Sequence, residues 1–380
     1  MHKMIDVNHF TIDANPQGFG PRAERCAGNK MNTPTLTDVA RKAGVSYATA
    51  DRVVNARGGV AVKSVDKVQR AVAELGYVRN LAAANLSTQR EFRFAFVIPS
   101  QSNSFFRHIH GLLGTHTPTT PGQRQNITII DVEAFEPAAL EHVLRGLQDK
   151  SFDGVAVVGI ASPGVEAQLA ALRAKGVATL SFISDITPSA RLAYIGIDNI
   201  MAGRTAARLI GMAHGGQAGL VQPIIGSLSL RDHQDRLRGF YEVLSRDFPR
   251  LTIRPEIAGR DSGEVVERHL SAALQTAPTI SAIYNIGGGS SGISRLFTGR
   301  ANRPFTVIHD LMPHTRTALE AGLIDAIIDQ RPEEEIDRAL SLMHAAANRL
   351  PVAECPPITL AIYLPDNLPT PHPSPKEHAL

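Results

Sequence analysis

The spacing of apolar positions changes character partway along this chain. Between residues 35 and 76 it is helical. Leu36, Val39 and Ala40 share one face, Ala50, Val53 and Val54 a second, and Val65, Val68, Val72 and Leu75 a third. Each set has the three-to-four-residue recurrence of a helix that packs on one side. Thr35 and Asp38 have the spacing of a capping box for the first helix, Gly44 stands where the chain leaves it with positive φ, and Ser46 can cap the second. Ser64 is placed to cap the third helix, which Gly76 ends. From residue 92 the pattern turns to short continuous apolar runs at 92–99, 126–132, 154–159, 178–183, 193–197, 218–225, 282–286, 304–308 and 326–329. Helical stretches such as 137–150, 165–175 and 201–212 lie between them. Buried strands alternating with helices predict parallel sheets covered on both faces.

With its apolar face turned inward, the second helix leaves Tyr47, Ala48, Asp51, Arg52 and Asn55 outside. Two short helices joined by a Gly-containing turn form a helix-turn-helix, whose second helix enters the DNA major groove. The run TLTDVARKAGVSYATADRVVN at 35–55 resembles the N-terminal signature of the lactose-repressor (LacI/GalR) family, and LAAANL at 81–86 resembles its hinge segment. The resemblance continues less strictly to about residue 368. It implies an all-α helix-turn-helix DNA-binding domain over 33–79, a hinge helix and linker over 80–91, and an α/β two-lobed periplasmic-binding-protein type I fold over 92–368. That last part would bind effector and dimerise, with a first lobe of 92–212 and 331–352 and a second of 213–330 and 353–368. Residues 1–32 and the Pro-rich 369–380 lack periodicity, which predicts disorder at both ends. Met31 is the expected start of translation. The tail carries no leucine heptad, so tail-mediated tetramers are not expected.

Site residues follow from the same resemblance. Tyr47, Ala48 and Arg52 match positions that face base edges: Arg can hold guanine O6 and N7 with two hydrogen bonds, and Ala suits a thymine methyl. Thr35, Ser46, Thr49 and Asn55 match phosphate contacts, which orient without specifying, although Thr35 and Ser46 equally serve as caps. Asp51 replaces the family's usual Ser. A carboxylate near phosphates is unfavourable, and it either screens against non-cognate sites or pairs with Arg52 or another Arg. Ala83, Asn85 and Leu86 match the hinge, where a leucine wedges a minor-groove base step and bends the duplex. Asn103, Phe105, Phe106, Asp198, Arg236, Asn285, Asp310 and Gln330 match the effector cleft. Acids, amides, an Arg and aromatic rings together suit a polyhydroxylated ligand, because buried hydroxyls must be paired. Asp198 has a plainer reading as a helix cap, and the two Phe rings as lid packing. The implied partners are double-stranded DNA with a palindromic operator, a sugar or sugar derivative, and a second copy of the chain.

Composition narrows the alternatives. Of 380 residues 43% are hydrophobic and 20% charged, which suits a sizeable core and two or three units. The net charge of +3 is uneven, with nine Lys/Arg against five Asp/Glu over residues 33–92, a footprint for phosphate contact. Two cysteines argue against a disulfide framework. No stretch opens like a signal peptide or is apolar enough to span a bilayer, so a cytoplasmic address without membrane contact is expected. His108, His110 and His116 do not share one helical face and have no acidic neighbour in sequence, so no metal is expected there. Gly287, Gly288 and Gly289 depart from the family's Ala-Asn-Asp segment. They form either a tight strand-to-helix turn or a phosphate cradle, without the Lys-Ser/Thr of a P-loop. Glu333 to Glu335 behind Pro332 fit a helix's first turn. No nucleophile-base set or cofactor fingerprint points to an enzyme or a cofactor. The competing readings are a solute receptor sharing the two lobes and a regulator that takes a purine as corepressor.

Overall fold

The computed structural model describes residues 34–55, 57–77, 90–100, 103–117, 124–352 and 355–370. The chain divides into two compact units at residue 80. Residues 1–32 and 371–380 of the expected disordered ends and the hinge residues Ala83, Asn85 and Leu86 lie outside the described residues.

The first unit holds α1 (Leu36–Ala43), α2 (Tyr47–Val54) and α3 (Val62–Leu75) around a small core that includes Val39, Ala40, Ala50, Val68 and Ala71. Thr35 and Asp38 make the capping box, Gly44 ends α1 at φ 64°, and Ser46 caps α2 by accepting the Thr49 N–H at 3.1 Å. The Ser64 cap does not form. The chain arrives extended at Ala61, whose carbonyl already accepts the Ser64 N–H at 2.8 Å, so the helix begins three residues earlier without a side-chain cap.

The second unit contains two sheets. The first orders β2 (Arg124–Val132), β1 (Glu91–Pro99), β3 (Gly154–Val157), β4 (Ala178–Phe182) and β5 (Ala193–Ile195) in parallel. It carries α4 (Ser104–Thr115), α5 (Pro137–Leu147) and α6 (Pro163–Ala174). The second sheet is built on β6 (Gly219–Ile225), flanked by β7 (Leu251–Ile253), β8 (Ile257–Ala258) and β9 (Ile280–Asn285). It continues through β10 (Phe305–His309) and β11 (Ala326–Asp329) to an antiparallel edge, β12 (Ala361–Tyr363).

The chain passes between the lobes three times. After β5 it enters α7 (Asn199–His214), which lies along α8 (Arg231–Asp247). Gly203 abuts the Arg236 carbonyl and Gly239 the Ile200 carbonyl, where a Cβ would collide with backbone. Residues 199–212 therefore pack with the second lobe and not the first, as the 92–212 range had them, because two helices this close share one layer. After β11 the chain enters α12 (Pro332–Ala347), which packs on β1, β3 and β4 of the first lobe. It then returns past Ile358, whose N–H bonds the Gly196 carbonyl at 2.9 Å. One apolar cluster runs through both lobes, from Phe92 and Phe96 to Tyr284 and Ile328, under the crossovers. The remaining helices of the second lobe are α9 (Gly263–Thr276), α10 (Ser290–Phe297) and α11 (Pro313–Glu320).

Candidate functional site: an exposed recognition helix and a polar inter-lobe cleft

On α2 the apolar side is satisfied by Ala50, Val53 and Val54, and what remains is a short polar face. Tyr47 is 57% exposed, Ala48 and Arg52 are exposed, and Thr49 bonds Ser46 through its hydroxyl at 2.9 Å. Asp51 takes the Asn55 side-chain amide at 2.6 Å and the Arg57 guanidinium at 3.0 Å. Its partner is Arg57 and not Arg52. Among the described residues the Arg52 side chain makes no hydrogen bond or ion pair, so its guanidinium donors are available for a base edge. Asn55 spends its amide on Asp51, both on the carboxylate and on the carbonyl at 2.9 Å.

In the second unit, loops at the carboxyl ends of both sheets face one another, the place where open α/β sheets hold ligands. Asn103 precedes α4 and caps it through Oδ1, which accepts the Phe106 N–H at 2.9 Å. Its Nδ2 reaches across to Asp261 Oδ2 at 3.1 Å. Asp261 Oδ1 in turn accepts the Gly288 N–H at 2.8 Å, tying the first lobe to the Gly-rich turn before α10. That turn is held from beneath by Asn285, whose Nδ2 donates to the Gly287 carbonyl at 2.8 Å. The Asn285 Oδ1 is buried and has no partner among the described residues, which leaves an acceptor for a ligand hydroxyl.

Arg236 is the centre of the floor. It is 2% exposed, and its three partners are neutral: Asn199 Oδ1 at 2.8 Å, the Ile286 carbonyl at 2.9 Å and Gln330 Oε1 at 3.3 Å. The Gly203 and Gly239 contacts bring α7 close enough for Asn199 to reach it. Gln330 passes the network on by donating to Asp310 Oδ1 at 2.8 Å. Burial pushes the Asp310 carboxyl up to about 7, Arg236 opposes the shift, and Asp329 adds to it. Glu335, on the first turn of α12, is wholly buried with both oxygens unpartnered among the described residues, and burial holds it well above the usual carboxylate range. Behind Arg236, Tyr284 bonds His309 at 2.9 Å, and burial keeps that imidazole neutral.

Asn103, Arg236, Asn285, Asp310 and Gln330 are thus drawn into linked hydrogen-bond networks around one cleft. Asp198 instead caps α7, accepting the Met201 N–H at 2.9 Å. Phe105 and Phe106 are each 6% exposed and meet edge to face at 5.4 Å within the core. The histidines do have acidic neighbours, supplied by the fold: His108 lies 3.6 Å from Glu333, His110 3.0 Å from Asp131 and His116 3.0 Å from Asp337. No group of metal-type ligands occurs among the described residues, nor any helix long and apolar enough to cross a membrane.

A cavity of about 500 Å³ opens beside this floor, walled by Phe135 and Glu136 from the first lobe and by Leu228, Glu256 and Arg260 from the second. None of these was marked by the sequence pattern. Phe135 (φ 66°), Arg260 (φ 51°) and Asp261 (φ 54°) hold left-handed backbone that non-glycine residues seldom adopt. Such strain concentrates at ligand sites.

Helix-turn-helix followed by a two-lobed sheet domain with a polar cleft defines a class of DNA-binding proteins that carry a ligand-binding domain of periplasmic type. Residues 94–350 match the family model of the periplasmic binding protein domain, and residues 35–80 that of the bacterial regulatory proteins of the lacI family. The chain belongs to the periplasmic-binding-protein domain family and carries a lacI-family domain at its front. It is 27% identical over 215 residues to the transcriptional regulator DegA of Bacillus subtilis, covering 55% of this chain and 60% of DegA. It is 28% identical over 263 residues to the regulator CelR of Thermobifida fusca, covering 67% of this chain and 74% of CelR. The chain thus spans about three fifths of the length of the first of these relatives. Among solved structures it resembles a Burkholderia graminis transporter solute-binding protein in complex with D-arabinose. The TM-score is 0.67 at 20% identity, over 73% of this chain and 96% of that one, a likeness of fold.

Proposed function

We propose that this chain is a sequence-specific transcriptional regulator that acts as a homodimeric repressor on a palindromic operator, with its DNA affinity set by a carbohydrate in the inter-lobe cleft. The observation that carries the DNA half is α2: an exposed polar face whose Arg52 side chain has no partner among the described residues while Asp51 is neutralised by Arg57. Tyr47, Ala48 and Arg52 read bases, and Thr35, Ser46 and Thr49 orient the helix on phosphates. Asn55 contributes to that orientation through its carboxamide, whose oxygen is left over when its nitrogen bonds Asp51. The carbohydrate half rests on the cleft floor, where Arg236, Asn285, Asp310 and Gln330 supply hydrogen-bonding groups and the Asn285 Oδ1 is an acceptor without a partner among the described residues. A ligand that prefers one lobe arrangement shifts the population of dimers able to engage both half-sites.

The test is fluorescence anisotropy with the chain's own upstream DNA, repeated with sugars, sugar phosphates and purines. Specific binding released by a sugar supports the proposal; specific binding strengthened by a purine replaces it. Arg52→Ala is expected to weaken operator binding by about tenfold to a hundredfold and to relax preference at one base pair. Uniform weakening across all sequences would place Arg52 on phosphate instead. In the hinge, Ala83, Asn85 and Leu86 enter the minor groove, and Leu86→Ala should reduce operator affinity and DNA bending together. A circular-permutation gel assay reads the bend, and an unchanged bend removes Leu86 from that role.

A further inference from the structure

At position 51 the recognition helix departs from the lacI-family pattern, and the departure brings in a residue from beyond the helix. Asp51 lies on the outer face of α2, one turn after Tyr47 and next to Arg52. A bare carboxylate there would meet the charge of the DNA backbone and be repelled. It is not bare. Asn55 Nδ2 donates to its Oδ1 at 2.6 Å, and Arg57 Nη1 donates to its Oδ2 at 3.0 Å. The backbone also brings Arg57 back to the helix, since its N–H donates to the Arg52 carbonyl at 2.9 Å. Gly58 and Gly59, both at φ 69°, then turn the chain, and a Cβ on Gly59 would stand 3.9 Å from Arg52 Nη1. Both guanidinium groups are therefore held at one end of α2.

A guanidinium carries five N–H donors in a rigid fork. Asp51 takes one of them from Arg57, and among the described residues the Arg57 Nε and Nη2 make no other bond. The Arg57 side chain is 62% exposed against 28% for Asp51, so the guanidinium and not the carboxylate faces outward here. An exposed ion pair of this kind adds little to stability. Its effect is to hold a long, flexible side chain in one place, so that less freedom is lost when the remaining donors meet an acceptor. We infer that Arg57 reads a guanine in the major groove, at a base pair beside the one read by Arg52, and that Asp51 is the positioning residue that aims it. The inference rests on the DNA reading of α2. A base and not a phosphate follows from the anchor: Asp51 shares the outer face with Tyr47 and Arg52, and the two nitrogens left over match the O6 and N7 acceptors of guanine.

The purified full chain decides this without a known operator or effector, by selecting bound duplexes from a library of randomised sequence and reading the selected motif. The parent chain is expected to prefer guanine at Arg57's base pair by about tenfold or more in each half-site. Arg57→Ala and Asp51→Ser should each bring that preference towards one at the same base pair, and that pair is not the one released by Arg52→Ala. The double variant should lose no further preference, because both changes remove one contact. Thermal unfolding checks that the variants fold, and Arg57→Gln serves if Arg57→Ala does not. An unchanged motif in Arg57→Ala, with weaker binding to every duplex and a salt slope shallower by about one per protomer, makes Arg57 a phosphate contact and overturns the inference. A motif lost in Arg57→Ala but whole in Asp51→Ser removes Asp51 as the positioning residue. If the parent chain selects no motif at all, the DNA reading of α2 falls and this inference with it.

Discussion

Arg236→Met is expected to remove the response to effector and to destabilise the two-lobed unit by about 3–5 kcal/mol. Arg236 is 2% exposed and donates to Asn199, the Ile286 carbonyl and Gln330, so a methionine of similar reach fills the volume and leaves three buried acceptors without donors. Unpaired buried acceptors cost about 1–3 kcal/mol each, less where one finds a new partner. Gln330 is the acceptor with an alternative, because it already bonds Asp310. Arg236→Lys should recover little, since an ammonium cannot reproduce a planar fork aimed at three acceptors. Operator binding by folded protein should survive, because the helical unit has its own core. Urea unfolding reads the stability, and anisotropy with the releasing compound reads the response. A methionine variant that unfolds and responds like the parent chain would remove Arg236 from the centre of the site.

What was legible in the sequence is what local chemistry dictates. The Thr35–Asp38 box, the Gly44 turn and the Ser46 cap are relations across three residues or fewer, and they form as spaced. Strands such as β1 and β6 announce themselves because a strand buried on both faces has to be apolar throughout. The short strands β7, β8 and β12 of two or three residues carry no such run and did not register. Ser64 shows the limit of cap spotting, since the path of the preceding chain and not the presence of a hydroxyl decides where the helix starts. The boundary at residue 212 failed for a related reason. α7 is amphipathic whichever sheet it covers, and only its glycine contacts with α8 assign it. Within the cleft, resemblance placed Asn103, Arg236, Asn285, Asp310 and Gln330 together. Asp261 and Phe135 were invisible, because their backbone conformation is imposed by contacts distant in sequence. Glu335 read as one of three solvated acids at a helix start, yet the crossover into α12 buries it completely.

Asp310→Asn is expected to stabilise the two-lobed unit at neutral pH and to have little effect in acid. The folded carboxyl is raised from 3.8 to about 7, chiefly by burial. Between those values the folded chain keeps a proton that the unfolded chain has released, so the unfolded state binds fewer protons and stability falls as pH rises. Above about 7 both states are ionised and the penalty is complete, at roughly 4 kcal/mol if the shift holds in full. Asparagine is the informative replacement. It tolerates the φ of 70° at this position and keeps an Oδ1 to accept the Gln330 amide, so the variant removes the titration and little else. Glu335 is raised in the same direction, by burial and next by the Asp310 charge, so the variant also relieves part of its shift and widens the gap in the same sense. The stability gap between variant and parent should therefore widen by about 3 kcal/mol from pH 5 to pH 8 in urea unfolding. An effector hydroxyl that donates to Asp310 favours the ionised carboxylate, so effector affinity should rise with pH through 7 in the parent chain and stay flat in the variant. A gap that does not change with pH would mean that Asp310 is ionised throughout and that its neighbours, not burial, set its charge.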